Sequence, residues 1–265
     1  MHNPALKEIG FEGQYVRIQV PRGEVKNALL LMAARGFVGV NVTIPHKFEA
    51  LDAMDEVDPL AQQLGAVNTV AIRDGKLIGY NSDGPGFLRS VEEAFGTQMP
   101  ELRVLILGAG GGAGRAVAVQ CALADCPFLW LANRTVEKTT ALKNEISRLN
   151  GSTHVKAVAW EPEALRDLLP NIDLIVNGTS LGMKDDDAEL LPGDALTKMH
   201  CVFDMVYRPG GAMTALGKAA LVAHSSYIDG RTLLLHQGAI SFETWFQRPA
   251  PIETMRQGLT EALIG

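Results

Sequence analysis

The run "VLILGAGGGAGRAVAVQ", beginning at Val104, sets five glycines between an apolar strand-like stretch and a helix-like one. A strand that enters a glycine turn and leaves as a helix presents unpaired backbone N–H groups and the positive end of a helix dipole, where a pyrophosphate can approach. Gly108 and Gly110 fit the first two positions of the dinucleotide fingerprint and Ala113 the third, where alanine is tolerated; Ala109, Gly111 and Gly112 complete the loop. The end of the next strand, "LANRTVEK", has no carboxylate where a ribose 2′-hydroxyl would be held, and offers instead Asn133, Arg134, Thr135 and, one turn on, Lys138. A carboxylate would repel a 2′-phosphate, whereas a guanidinium can pair with it and stack on adenine. NADP is therefore expected rather than NAD.

A second group of polar residues lies in the first half of the chain. In "NVTIPHK", Asn41 and Thr43 are two apart and face one side of an extended chain, and Pro45 stops the strand and puts Lys47 at its tip. "GAVNT" adds Asn68, and "GYNSDGPG" adds Asp83 between glycines that permit close approach. In open α/β sheets, ligands bind beyond the carboxyl ends of strands, where all these groups are expected to sit. Taken singly, a lysine is usually a solvated charge and an aspartate before glycine a turn former.

Strand and helix signals alternate along the chain that must position these groups. "QYVRIQV" alternates like a strand, residues 24–35 have helical spacing ended by Gly36, and "VGVNVTI" reads as the next strand, a β-α-β unit. Two β-branched runs flank Asp74-Gly75, a hairpin signal. From "VLILGAG" onward, the strands "FLWLANR", "VKAVAW", "DLIVNGT" and "CVFDMVY" alternate with helices, and their uniform apolarity indicates a parallel sheet covered on both faces. At 265 residues the chain is expected to form two α/β domains. The first, 1–83 with 231–265, would hold the substrate on a mainly parallel sheet; the second, 84–230, would be a Rossmann-type NADP-binding domain.

Composition narrows the function classes. A formal net charge of -6 with no basic stripe argues against a nucleic-acid surface. Three scattered cysteines do not make a disulfide framework, no apolar run reaches membrane-spanning length, and no signal-peptide layout opens the chain, so a cytoplasmic protein is expected. The six histidines lack zinc-site spacing, so no metal is expected. "KDDDAELLP" reads as a solvated acidic loop and "FETWF" as helix packing. The expected partner is a small molecule, bound by a monomer or homodimer.

The ordered motifs "NVTIPHK", "GAVNT", "GYNSDGPG", "LGAGGGAGRA", "NRT", "NGTSLGM", "FDMVYRP" and "DGRTLLLHQGAISFETW" resemble the shikimate dehydrogenase family across nearly the whole chain. The resemblance implies NADP-dependent reduction of 3-dehydroshikimate to shikimate, in the route to aromatic amino acids. It also implies two α/β domains flanking a cleft, with the C-terminal helices returning to the first. By this likeness Lys47 is the catalytic lysine and Asp83 its partner, while Asn41, Thr43, Asn68, Tyr207 and Gln237 contact substrate. Gly182 and Met183 would wall the nicotinamide, and Gly230 would also meet the cofactor. Quinate, an aminoshikimate or a non-catalytic NADP-binding role are the alternatives.

The sequence departs from the family pattern in three places. Ser82 replaces the usual threonine, Thr232 and Leu233 replace a Gly-Met pair, and the chain begins at the "MHN" segment that in relatives follows a first strand and two serines that hold the substrate carboxylate. Without that strand two inner sheet edges would lie unpaired, so residues upstream of Met1, or another segment in the slot, are expected.

Overall fold

The computed structural model describes residues 1–192 and 194–264, apart from the side chains at 209 and 264. The chain divides into two compact units: Met1–Gly86 with Leu235–Ala262, and Phe87–Leu234 with the last few residues.

The first unit holds four strands: β1 (Gly39–Asn41), β2 (Glu56–Val57), β3 (Thr69–Arg73) and β4 (Lys76–Tyr80), ordered β1-β3-β4-β2. Asp74 and Gly75, both at positive φ, turn β3 into β4 as the hairpin signal requires. The β1–β3 and β3–β4 pairs are antiparallel and only β2–β4 is parallel. The mainly parallel sheet expected for this unit is therefore corrected to a mixed one, because the hairpin dictates the direction of its central pair. The helix Val25–Ala34 buries Val25, Leu29 and Met32, one helical stripe, against Ala50, Ala61, Val70 and Leu77.

Two strand expectations fail here. Gln14–Val20 is not a strand; alternation marks a face but supplies no partner, and a strand needs one for its N–H and C=O groups. A side chain substitutes at one residue: Tyr15 N donates to Asn3 Oδ1 (2.7 Å) and Asn3 Nδ2 to Tyr15 O (3.1 Å). Val16 and Ile18 stay exposed. The strand read in "VGVNVTI" contracts to Gly39–Asn41, so Thr43 lies beyond the ladder, and Lys47 opens a helix, Lys47–Asp52, rather than standing at a strand tip.

The second unit is a six-stranded sheet of β5 (Arg103–Leu107), β6 (Phe128–Ala132), β7 (His154–Val158), β8 (Leu174–Asn177), β9 (Cys201–Asp204) and β10 (Ser226–Asp229). All pairs are parallel, in the order β10-β9-β8-β5-β6-β7. This is the Rossmann order, whose direction of winding reverses between β5 and β8. Val104, Leu105, Ile106 and Leu107 have no exposed surface, as covering on both faces demands. β10 was not legible as a strand: "SYID" at the sheet's edge carries one strongly apolar residue.

Among the described residues, no helix is long and apolar enough to cross a membrane, and no cluster of His, Cys, Asp or Glu could hold a metal.

Candidate active site

In the first unit, Lys47 Nζ lies 2.6 Å from Asp83 Oδ2, with 27% and 29% of the two side chains exposed. Local structure brings this about from two directions. The chain leaves β1, passes Thr43 and a cis Ile44–Pro45 bond, and starts a helix at Lys47, whose carbonyl accepts from Val67 N at 3.0 Å. Asp83 opens the helix Asp83–Phe95, where Asn81 Oδ1 accepts from the N–H groups of Asp83 (3.0 Å) and Gly84 (3.3 Å), a side-chain cap. Asn81 Nδ2 in turn donates to Ala66 O at 2.9 Å, tying that cap to the segment before Asn68. A pair this close yet one-quarter exposed can exchange protons with a ligand or with water.

Around the pair lies a neutral polar network. Asn68, almost fully buried, accepts at Oδ1 from Ser82 N (2.8 Å) and Thr69 Oγ1 (3.0 Å) and donates from Nδ2 to Ser82 Oγ (3.1 Å). Asn41 Nδ2 donates to Ser241 Oγ (2.8 Å), and Asn41 Oδ1 accepts from Tyr15 Oη (3.0 Å), which fixes the amide's orientation. Ser241 Oγ also meets Thr69 Oγ1 at 2.8 Å and donates to Gln237 O at 2.9 Å. Gln237 stands one turn earlier on the same helix, Gly230–Phe246, and packs so closely on Gly86 that a Cβ there would lie 2.9 Å from Gln237 N. Lys47, Asp83, Asn41, Thr43, Asn68 and Gln237 thus share the first unit, with Thr43 exposed on its loop; Tyr207 belongs to the second.

The second unit carries the glycine turn at the head of β5. Gly108 adopts φ +79°, a conformation suited to glycine, and the N–H groups of Gly108 and Ala109 both donate to Ala132 O. Gly111 N donates to Gly108 O, and the helix starts at Gly112, leaving the N–H groups of Gly112 and Ala113 without partners among the described residues. Gly108, Ala109 and Gly111 shape the turn, and the two unpaired N–H groups lie at the helix start. Gly110 N donates to Asn133 Oδ1 (3.2 Å), and a Cβ at Gly110 would come 2.8 Å from Lys138 Cβ, so turn and cationic helix start are in contact. Arg134, Thr135 and Lys138 are exposed.

One fingerprint position shifts. Ala113 is exposed and packs no strand; the close helix–strand approach falls on buried Gly114, where a Cβ would sit 2.3 Å from Gly108 O. Gly178, after β8, faces it, its would-be Cβ 2.7 Å from Gly114 Cα. The helix begins one residue later than the fingerprint assumes, which turns 114 inward.

A family model for the shikimate dehydrogenase substrate binding domain matches residues 1–70, and one for the shikimate 5'-dehydrogenase C-terminal domain matches residues 230–259. The chain is 41% identical to a shikimate dehydrogenase (NADP(+)) of Moorella thermoacetica, with 99% of this chain and 88% of the relative aligned. It is 39% identical to that of Symbiobacterium thermophilum, over 100% and 90%. The chain belongs to the shikimate dehydrogenase family. Among solved structures it is similar to a shikimate dehydrogenase in complex with NADP+ (TM-score 0.87, 35% identity, 99% and 89% covered). It is also similar to a quinate dehydrogenase from Corynebacterium glutamicum in complex with NAD (TM-score 0.86, 31%, 98% and 92%).

Shikimate dehydrogenase motifs beyond the glycine turn are also placed in the second unit. Gly182 takes φ +102°, its N–H donates to Asp187 Oδ2 (2.8 Å), and Met183 beside it is exposed. Tyr207 follows β9 and lies against Gly230, where a Cβ would be 2.3 Å from Met205 O; Gly230 is a packing glycine that lets the last long helix start flush with that loop. Tyr15, Thr69, Asn81, Gly114 and Ser241 were not read as site residues from the sequence. Asn81, two before Asp83, had a capping signal; Ser241, one turn after Gln237, had a helical one.

Proposed function

We propose that this chain is an NADP-dependent shikimate dehydrogenase that interconverts 3-dehydroshikimate and shikimate. The 2.6 Å pair of Lys47 and Asp83 carries the reading. Bound NADPH would supply hydride to the C3 carbon of the substrate ketone. The Lys47 ammonium donates a proton to the C3 oxygen as the alkoxide forms, and the resulting amine regains one from water; in the oxidative direction the neutral amine takes the hydroxyl proton. Asp83 holds the ammonium in place and balances its charge, and such acid–base help contributes roughly 10²–10⁴-fold. Asn41, Thr43, Asn68, Tyr207 and Gln237 offer neutral donors and acceptors suited to a polyol. The Tyr15–Asn41–Ser241 chain orients the Asn41 amide and is a support rather than a contact.

Cofactor capture draws on four features of the second unit. The free N–H groups of Gly112 and Ala113 suit a pyrophosphate at a helix N-terminus. Gly110, with no Cβ, lets the cofactor approach the turn. Arg134 and Lys138 suit a 2′-phosphate, and Asn133 braces the loop between them; Gly182 and Met183 would shield the nicotinamide from water. In this reading residues 1–83 with 231–265 supply the proton-transfer pair and every substrate contact but Tyr207, and residues 84–230 hold the cofactor, in a cytoplasmic enzyme acting as monomer or homodimer. The test is the rate of NADPH formation from shikimate beside quinate, each with NADP+ and NAD+. Shikimate with NADP+ should give the highest kcat/KM, and a preference for quinate or NAD+ would overturn the assignment.

A further inference from the structure

Asp204 has no part in the proton transfer or phosphate capture described above, yet it is a fully buried carboxyl at the C-terminal end of β9. It stands in register with Asn177, the last residue of β8. Its Oδ1 accepts from Asn177 Nδ2 (2.8 Å) and from Val206 N (3.1 Å), and its Oδ2 accepts from Thr214 Oγ1 (2.6 Å). Each partner passes the constraint on. Asn177 Nδ2 also donates to Leu181 O (3.0 Å), and its Oδ1 accepts from Thr179 N (3.0 Å) and Thr179 Oγ1 (2.7 Å). Thr179 Oγ1 in turn accepts from Leu181 N at 2.9 Å. Thr214 Oγ1 caps the helix Ala215–Val222 through Gly217 N (3.0 Å), and a Cβ at Gly182 would touch Thr214 Cβ at 3.4 Å.

We infer that Asp204 is a positioning residue, holding through Asn177 and Thr214 the loop that carries Gly182 and Met183 and the loop that carries Tyr207 in one arrangement. The inference rests on the reading that these loops flank the nicotinamide and substrate. A carboxylate suits the task because it accepts from three donors at once, and a buried network with every member satisfied permits one geometry. Burial pushes the Asp204 carboxyl above the ordinary carboxylate range, and the bonds from Thr214, Asn177 and Val206 pull against that shift. A site must be held within fractions of an ångström, so loosening these loops acts on rate.

The test is Asp204→Asn, which keeps the shape but loses the charge and reverses the polarity of the atom facing Thr214. Amide exchange at Leu181, Gly182 and Val206 should accelerate roughly tenfold or more, with the central strands unchanged. Turnover of shikimate with NADP+ should fall roughly 10- to 100-fold while NADP affinity stays within about threefold, because the N–H groups of Gly112 and Ala113 and the Arg134 side chain make no bond to the Asp204 network. Thr214→Ser, which keeps the hydroxyl, should turn over faster than Thr214→Val. Wild-type exchange and turnover in Asp204→Asn would overturn the inference, as would a uniform rise in exchange across the whole sheet. A wild-type chain inactive on shikimate would sink the substrate assignment instead, and the exchange measurement would still decide the role of Asp204.

Discussion

Replacing Gly114 with alanine separates the packing seen here from the fingerprint position at Ala113. The added Cβ would lie 2.3 Å from Gly108 O, 2.9 Å from Gly108 C and 3.0 Å from Ala109 Cα, all backbone atoms of the tight turn. A relaxed carbon–oxygen contact is roughly 3.3 Å, so the helix Gly112–Leu123 must retreat by about 1 Å. Such overpacking costs about 1–3 kcal/mol, partly offset by the ~1 kcal/mol that alanine gains over glycine inside a helix, so the melting temperature should fall by no more than about 8 °C. Affinity is the more exposed quantity. The N–H groups of Gly112 and Ala113 move with the helix, and weakening two hydrogen bonds to a charged phosphate should cost roughly tenfold or more in NADP binding. Titration of NADP followed by intrinsic fluorescence reads this directly, with Ala113→Gly as the comparison, expected within about threefold of wild type because only an exposed methyl is lost. Gly114→Ala binding NADP as tightly as wild type would refute the steric argument.

Three further outcomes follow from the geometry. Arg134→Ala should weaken NADP roughly 10- to 100-fold and leave NAD nearly unchanged, since only NADP carries the 2′-phosphate; equal losses in the two Michaelis constants would contradict the pairing. Gly86→Ala would drive a Cβ to 2.9 Å from Gln237 N and 3.0 Å from its Cα, so kcat/KM for shikimate should fall while NADP affinity holds, and unchanged kinetics would show that the two helices can part freely. His2, stacked on Tyr15 at 4.3 Å, has its pKa lowered to about 4, chiefly by burial. The unfolded chain therefore binds the extra proton first, so stability drops as pH falls from about 6.5 towards 4, by roughly 3 kcal/mol in all; His2→Phe should flatten that slope, and an unchanged slope would exonerate His2.

What the sequence revealed follows from how far apart the interacting groups lie. β5, β6 and β8 were plain because burial on both faces leaves a continuous apolar run, and the glycine turn was plain because strand, turn and helix are contiguous. Gln14–Val20 has a strand's alternation, but pairing depends on distant chain. Lys47 and Asp83 were each visible at an element's end, while their contact spans 36 positions and was assigned through the family likeness. The Asn41–Ser241 bond spans 200 positions, beyond any local pattern. Ser82, met first as a departure from the family's threonine, keeps the hydroxyl on which Asn68 depends. Gly114 was hidden by a one-residue shift in where the helix begins.

The proton-transfer role of Lys47 is the central claim, and the turnover of shikimate with NADP+ by Lys47→Ala beside wild type tests it most directly. Wild type should form NADPH, and Lys47→Ala should lose roughly 10²–10⁴-fold in kcat while its NADP dissociation constant stays within about threefold. Turnover by Lys47→Ala at the wild-type rate would remove the ammonium from the reaction and contradict the mechanism.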